Sequence, residues 1–224
     1  MTIPYEWETV FRNGPWGAYP GEDLIRFVAR NFYAAPDRGA VSILEVGCGP
    51  GANLWYLCRE GFRAVGVDGS ETAIRQARER LDREVPGWRG DILRADIIRL
   101  PLADAAFDAV VDSEALSCNT FEDSQRIYGE MLRVLRPGGR LFSRTFAQDC
   151  YGNGMGRRVG RGCYESDRGP FTGKGRIRFT RLEEIGELLG PRARLLGVER
   201  ICRTMGDRAQ EIVEWIIEAE RLPD

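Results

Sequence analysis

The stretch Ser42-Ile43-Leu44-Glu45-Val46-Gly47-Cys48-Gly49-Pro50-Gly51 decides how the rest of the chain is read. A mostly apolar run ends at three closely spaced glycines. Asn53 to Arg59 then carries Leu54, Leu57 and Cys58 on one helical face. A strand, a glycine turn and a helix start bring backbone N–H groups and a helix N-terminus to the carboxyl edge of a sheet, where open α/β folds bind ligands. Gly47, Gly49 and Ala52 also satisfy the dinucleotide pattern G-x-G-x-x-G/A, so the glycines alone do not choose between cofactors.

Outward from this turn, short apolar runs alternate with amphipathic segments, the pattern of a parallel α/β sheet. Arg63 to Val67 reads as a second strand, and Ser70 caps a helix with Ile74, Ala77 and Leu81 at helical spacing. Ile92 to Ala95 and Phe107 to Val111 are the third and fourth strands. A helix from about Asp123 to Leu135 stops at Pro137-Gly138-Gly139, and Arg140 to Thr145 makes a fifth strand. Upstream, Leu24, Ile25, Phe27, Val28 and Phe32 suggest a helix from about Pro20, preceded by the aromatic residues Tyr5, Trp7, Phe11, Trp16 and Tyr19. Downstream come a glycine-rich basic stretch (147–178), a helix (about 180–189) and a strand (193–202). In the final segment, 210–221, the apolar run around Ile212, Val213, Ile216 and Ile217 suits either a helix or a buried strand. We read it as a strand, in a hairpin across Gly206-Asp207.

The composition bounds the function. Of 224 residues, 43% are hydrophobic and 29% charged, enough for one sizeable core. The 32 basic residues against 34 acidic ones argue against coating nucleic acid or an anionic membrane. No apolar run approaches the ~18 residues of a membrane span, and Met1 to Arg12 lacks a signal-peptide pattern. A soluble, cytoplasmic protein is expected. The absence of histidine removes His-based triads and most zinc and non-haem iron sites. The six cysteines (48, 58, 118, 150, 163 and 202) show no CxxC pair and read as free thiols. No metal site is expected, so activity should survive EDTA.

Acidic residues around the glycine turn narrow the ligand. Asp68 closes the second strand, 21 residues on from Gly47, where a carboxylate can accept from both ribose hydroxyls of an adenosine. Asp96 with Ile97 follows the third strand, an acid–apolar pair suited to an adenine amino group and ring face. Glu45 would face a diphosphate badly but suits a ligand bearing an ammonium or sulfonium.

With these residues the sequence resembles the class I S-adenosylmethionine-dependent methyltransferases of small-molecule type. The resemblance rests on ILEVGCGPG (43–51), VGVDGS (65–70), ADIIRLPLADAAFDAVVDS (95–113) and LRVLRPGGRLF (132–142). It implies S-adenosylmethionine as cofactor. Glu45, Gly47, Cys48, Gly49 and Gly51 would lie at the methionine part, Asp68 at the ribose with Gly69 and Ser70 in the same set, and Asp96 with Ile97 at the adenine. Asp112 would face the methionine amino group and the substrate mouth, and Asp112 and Glu114 are the candidate catalytic acids. Many small-molecule members carry a histidine after the fourth strand; here that place falls near Cys118. The stretch Asp112-Ser113-Glu114-Ala115 also lacks the signature of enzymes that methylate nucleobase amines.

The expected fold is an α/β, doubly wound, Rossmann-like sandwich with a seven-stranded, mostly parallel sheet and an antiparallel last strand. It forms a single domain, 1–224, with an N-terminal aromatic/helical cap (about 1–38) and a Gly/Arg-rich lid insertion (about 147–178). Trp16 and Tyr19 are either a substrate lid or aromatics packing the first helix onto the sheet. Glu114 is either a general base or a solvated loop acid, and Cys118 reads as inert. The insertion holds seven cations from Tyr151 to Arg178 against Glu165 and Asp167, and its glycines suggest little intrinsic structure. Arg157, Arg158 and Arg161 are therefore expected to clamp an anionic acceptor from a mobile lid. The expected partner is a small-molecule methyl acceptor, a saccharide or other anionic metabolite, with no nucleic acid and no membrane; the oligomeric state is open. The competing readings are a nicotinamide-dependent oxidoreductase and a non-catalytic S-adenosylmethionine-binding module.

Overall fold

Ser42–Val46 (β1) is buried along its whole length because parallel strands flank it on both sides. In the computed structural model, which describes residues 5–166 and 169–223, two helices, α1 (Tyr5–Asn13) and α2 (Glu22–Phe32), precede it. After it come α3 (Ala52–Arg59), β2 (Arg63–Asp68), α4 (Glu71–Glu84), β3 (Arg89–Arg94), β4 (Phe107–Ser113), α5 (Phe121–Val134) and β5 (Leu135–Phe146). The short strands β6 (Arg157–Gly160), β7 (Cys163–Glu165) and β8 (Arg176–Arg178) form a separate antiparallel sheet. A 3-10 turn runs into α6 (Ile185–Leu189), and β9 (Ala193–Met205) and β10 (Gln210–Arg221) close the main sheet.

The main sheet has the order β3-β2-β1-β4-β5-β10-β9, with β10 antiparallel to both its neighbours. The apolar final segment is thus a buried strand, as its hairpin reading requires. Strand periodicity divides the core. Leu44, Val46, Val65, Val67 and Val110 pack on the face covered by α5 and α6. Ile43, Ala64, Ala109 and Val111 face the side covered by α2, α3 and α4. Successive strands run one way from β1 and then the other way from β4, so the crevice of a doubly wound sheet lies at the carboxyl ends of β1 and β4.

Three local expectations are corrected, and one helix is added to the N-terminal cap. The aromatic N-terminal segment contains a helix, α1, whose Trp7 and Phe11 rings pack 5.6 Å apart. The helix expected at 180–189 is only a 3-10 turn at Leu182–Glu184 followed by the five residues of α6. Leu135 is already extended and paired with Phe107, so β5 begins before Pro137-Gly138-Gly139, which sits inside the strand at a shift in register. The described residues of the insertion are folded rather than structureless. Phe171, Ile177 and Phe179 build a third core with Phe146, Ile212 and Val213. That core is why a glycine-rich segment can hold three strands.

Candidate active site

A cavity of about 560 Å³ opens at the crevice. Its floor is the turn after β1, where Gly47 adopts φ +67°. A Cβ at Gly47 would lie 2.2 Å from that of Ala115, so the turn and the loop after β4 approach too closely for any other residue.

Glu45 reaches the cavity from β1 and is 2% exposed. Its Oε1 accepts from Asn53 Nδ2 at 2.6 Å, and Asn53 also donates to Ser113 Oγ at 3.1 Å. Oε2 is buried with no partner. Burial pushes this carboxyl well above its usual range, and the nearby Asp112 and Asp68 charges act in the same direction. Asp68 accepts from Gly49 N at 2.8 Å with Oδ2 and from Ser70 N at 2.8 Å with Oδ1, tying the glycine turn to the start of α4. Burial raises its pKa, against the pull of these two amides. Asp96 Oδ1 accepts from Ile98 N at 3.1 Å, and Asp96 and Ile97 both line the cavity, as do Cys48, Gly49, Gly69 and Ser70.

The two expected catalytic acids part company. Asp112 is fully buried and is not part of the cavity lining. Its Oδ1 accepts from Leu116 N at 3.1 Å and its Oδ2 from Ser143 Oγ at 2.7 Å, with Tyr128 Oη 2.9 Å beyond on the same serine. The expectation that Asp112 faces the substrate mouth is therefore corrected. It shares the strand face of Val110, beneath α5, and holds the loop after β4 from below. Burial pushes it up to about 7.

Glu114, one turn of the loop further on, lines the cavity in a left-handed conformation (φ +70°). Arg144 Nη2 lies 3.6 Å from it. Burial pushes Glu114 up to about 7, the neighbouring Glu214 adds to the shift, and Arg144 opposes it. Arg144 donates from Nε to the fully buried Glu214 at 2.8 Å and lies 3.6 Å from Asp23. Cys118 also lines the wall, and burial raises its thiol pKa, consistent with an inert group.

Trp16 and Tyr19 both line the cavity, 41% and 72% exposed. Trp16 packs edge-on against Trp7 and Phe11 of α1 at 5.4 and 5.7 Å. The cap helix is itself tied down. Glu8 accepts from Ser70 Oγ at 2.5 Å, Thr72 Oγ1 at 2.6 Å and Thr72 N at 3.2 Å, which lowers its pKa to about 2.

The arginine clamp is not assembled. Arg157 pairs with Glu165, and Arg158 donates to Gly160 O at 3.3 Å. Arg161 bonds Glu184 and Glu187 at 2.8 Å each and stacks 3.9 Å over Phe121. None of the three lines the cavity. Asp167 and Arg168 lie outside the described residues. The insertion instead contributes Phe171, Lys174 and Ile177 to the wall. Sequence reasoning counted Lys174 only among the insertion's seven cations, and missed Phe171 and Ile177 together with Phe11, Asn53, Arg144 and Arg203. Asn53 alone carried a signal, as a polar residue in the first turn of a helix directly above the glycines.

Residues 43–139 match the model of a methyltransferase domain. An uncharacterised chloroplastic methyltransferase of Arabidopsis thaliana is 34% identical over 62% of this chain and 39% of its own length. A phthiotriol/phenolphthiotriol dimycocerosates methyltransferase of Mycobacterium tuberculosis is 37% identical over 46% of this chain and 37% of its own. The chain thus spans about two fifths of the length of these relatives. A crystal structure of an S-adenosylmethionine-dependent methyltransferase from Methanosarcina mazei shares the fold, with a TM-score of 0.67 and 23% identity over 82% of this chain and 93% of that one. No helix among the described residues is long and apolar enough to cross a membrane.

Proposed function

We propose, from the premise that this chain belongs to the class I S-adenosylmethionine-dependent methyltransferases, that it methylates a small-molecule acceptor at the cavity above β1 and β4. The observation that carries the donor assignment is the unpartnered Glu45 Oε2 beside the glycine turn. A buried carboxylate oxygen without a donor suits a cationic ligand group and opposes a diphosphate. The oxidoreductase reading loses support for that reason.

When bound, S-adenosylmethionine supplies a methyl group made electrophilic by its sulfonium. The chain's own residues then bind and orient. Glu45 and the glycine turn would hold the methionine part, Asp68 and Ser70 the ribose, and Asp96 with Ile97 the adenine. Positioning of this kind can lower a transfer barrier by ~7–11 kcal/mol in favourable cases. A hydroxyl acceptor must also lose its proton. Glu114, pushed up to about 7, is matched to that task near neutral pH. Aromatic side chains on the acceptor side, Trp16, Phe146 and Phe171, suit a sugar face or a planar metabolite. Calorimetry with adenosylhomocysteine should show saturable binding that nicotinamide dinucleotides do not match. Absence of that binding, or a preference for the dinucleotide, would overturn the reading.

A further inference from the structure

The chain contains a single lysine, Lys174, against a large number of arginines. That lysine lines the cavity from the insertion. Its ammonium sits between two aromatic groups, 5.5 Å from the Trp16 ring centre on the N-terminal side and 5.9 Å from Phe171 on the insertion side. Phe171 in turn packs edge-on against Phe146 at 4.8 Å. Ring faces attract a cation but give its N–H groups no oxygen acceptor. Among the described residues, Lys174 has neither a carboxylate within ion-pair distance nor a hydrogen-bond acceptor, whereas the charge of Arg203, also on the cavity wall, acts on Glu114. The contrast with Arg144, Arg157 and Arg161, all engaged with glutamates, is clear.

We infer that the acceptor is a small organic acid with a flat unsaturated body, which lies between the aromatic walls while Lys174 holds its anionic group and Glu114 faces the atom to be methylated. This inference rests on the methyl-transfer reading of the cavity and names the class of molecule it takes. A positive charge left unpaired in a partly closed, ring-lined cleft is stabilised by an anionic ligand, and the bond it then makes is charge-assisted. A neutral analogue of the same shape gains the ring contacts but leaves the Lys174 ammonium without a partner. The site therefore discriminates by charge more than by shape.

The test uses the full chain saturated with adenosylhomocysteine and a panel of matched pairs: benzoate, 4-hydroxybenzoate and 4-hydroxyphenylacetate, each with its primary amide. Lys174 is acylated with an N-hydroxysuccinimide ester and followed by peptide mass. Calorimetry gives the affinities. At least one acid should bind about tenfold more tightly than its amide and slow acylation at Lys174 in proportion. Lys174→Gln should abolish that preference and raise the acceptor KM with kcat little changed, and Lys174→Arg should restore it. Affinity for adenosylhomocysteine should stay within about twofold in both variants. A lysine that merely propped the insertion against the cap would not move the acid-to-amide ratio. The inference is overturned if no acid on the panel outbinds its amide, or if Lys174→Gln keeps the preference. Failure of adenosylhomocysteine to bind the wild-type chain is a separate result and would overturn the donor reading instead.

Discussion

The Glu8 carboxylate of α1 receives the Thr72 hydroxyl at 2.6 Å, joining a helix at the start of the described chain to the first turn of α4, 64 residues on. The same carboxylate takes the Ser70 hydroxyl, and Ser70 caps α4 through Ala73 N at 3.1 Å. An acidic side chain beside a helix N-terminus is favourable in its own right. The cap over the cavity is thus held at one charged point.

Glu8→Ala should release α1 while leaving the sheet intact. Bonds to a charged group contribute about 1.5–3 kcal/mol each, so hydrogen exchange across residues 5–13 should quicken at least about tenfold. Adenosylhomocysteine affinity should fall with it, because Phe11 and Trp16 line the same cavity. The latch contributes stability above the ordinary glutamate range and loses it only as pH falls towards about 2. The protection factors of the α1 amides in the wild type, taken relative to the intrinsic exchange rate at each pH, should therefore be flat from pH 8 to about pH 5. Unchanged exchange in the variant would show that α1 is held elsewhere.

Asp68→Ala removes the acceptor for Gly49 N and Ser70 N as well as the proposed ribose contact. Donor affinity should drop by at least about tenfold, and calorimetry with adenosylhomocysteine reads it directly. Asp68→Asn keeps one carbonyl acceptor and should lose less.

Glu114 sets a pH dependence if it is the base. Its folded pKa is raised to about 7, so the active carboxylate form grows as pH climbs through that value. The rate with saturating acceptor should rise along the same curve. Glu114→Gln should cost about 10²–10⁴ in kcat and flatten the profile. A profile that keeps its shape in the variant would assign the limb to another group.

Asp112 gives a stability signature without touching the cavity. Its folded pKa is raised from 3.8 to about 7, so between those values the folded state holds a proton that the unfolded chain has lost. Stability from this group is therefore full below about pH 4 and falls as pH rises through about 7. Asp112→Asn should flatten that part of the Tm-against-pH curve. A wild-type curve without the fall would show that Asp112 is ionised in place.

Among the described residues, no three acids or cysteines are grouped to hold a metal ion. Turnover should accordingly persist in EDTA. Loss on chelation with recovery on adding magnesium would point to acids brought together only when ligands bind.

The sheet could be read ahead of the structure because its signals are local. β1, β2 and β4 are short apolar runs, and the glycines between β1 and α3 mark where the backbone must turn. The proposed donor residues follow from the same logic, since each sits at the end of a strand. Asp112 misled because position along a strand says nothing of which face a side chain takes. Its parity with Val110, whose face α5 covers, becomes decisive only once the sheet's layers are known. Arg157 and Arg161 misled for a related reason. Their partners include Glu184 and Glu187, more than 20 residues away, and no local pattern foretells such pairing. The order in the insertion was hidden because its core borrows Phe146, Ile212 and Val213 from outside it.

The position of β10 between β5 and β9 bears on how the site comes into being during synthesis. The parallel half of the sheet draws on strands close together in the chain and can assemble as they leave the ribosome. β5 must wait with an open edge until residues some 70 positions later arrive, because Glu214 pairs with Phe146 and its carboxylate neutralises Arg144. Closing so long a loop carries an entropic penalty that grows slowly with length, and an unpaired edge is exposed to wrong partners meanwhile. The residues of the cavity that follow β1, β2 and β3 all precede β5 in the chain. The wall around Glu114, which depends on Arg144 and Glu214 for its charge environment, matures only when the hairpin docks.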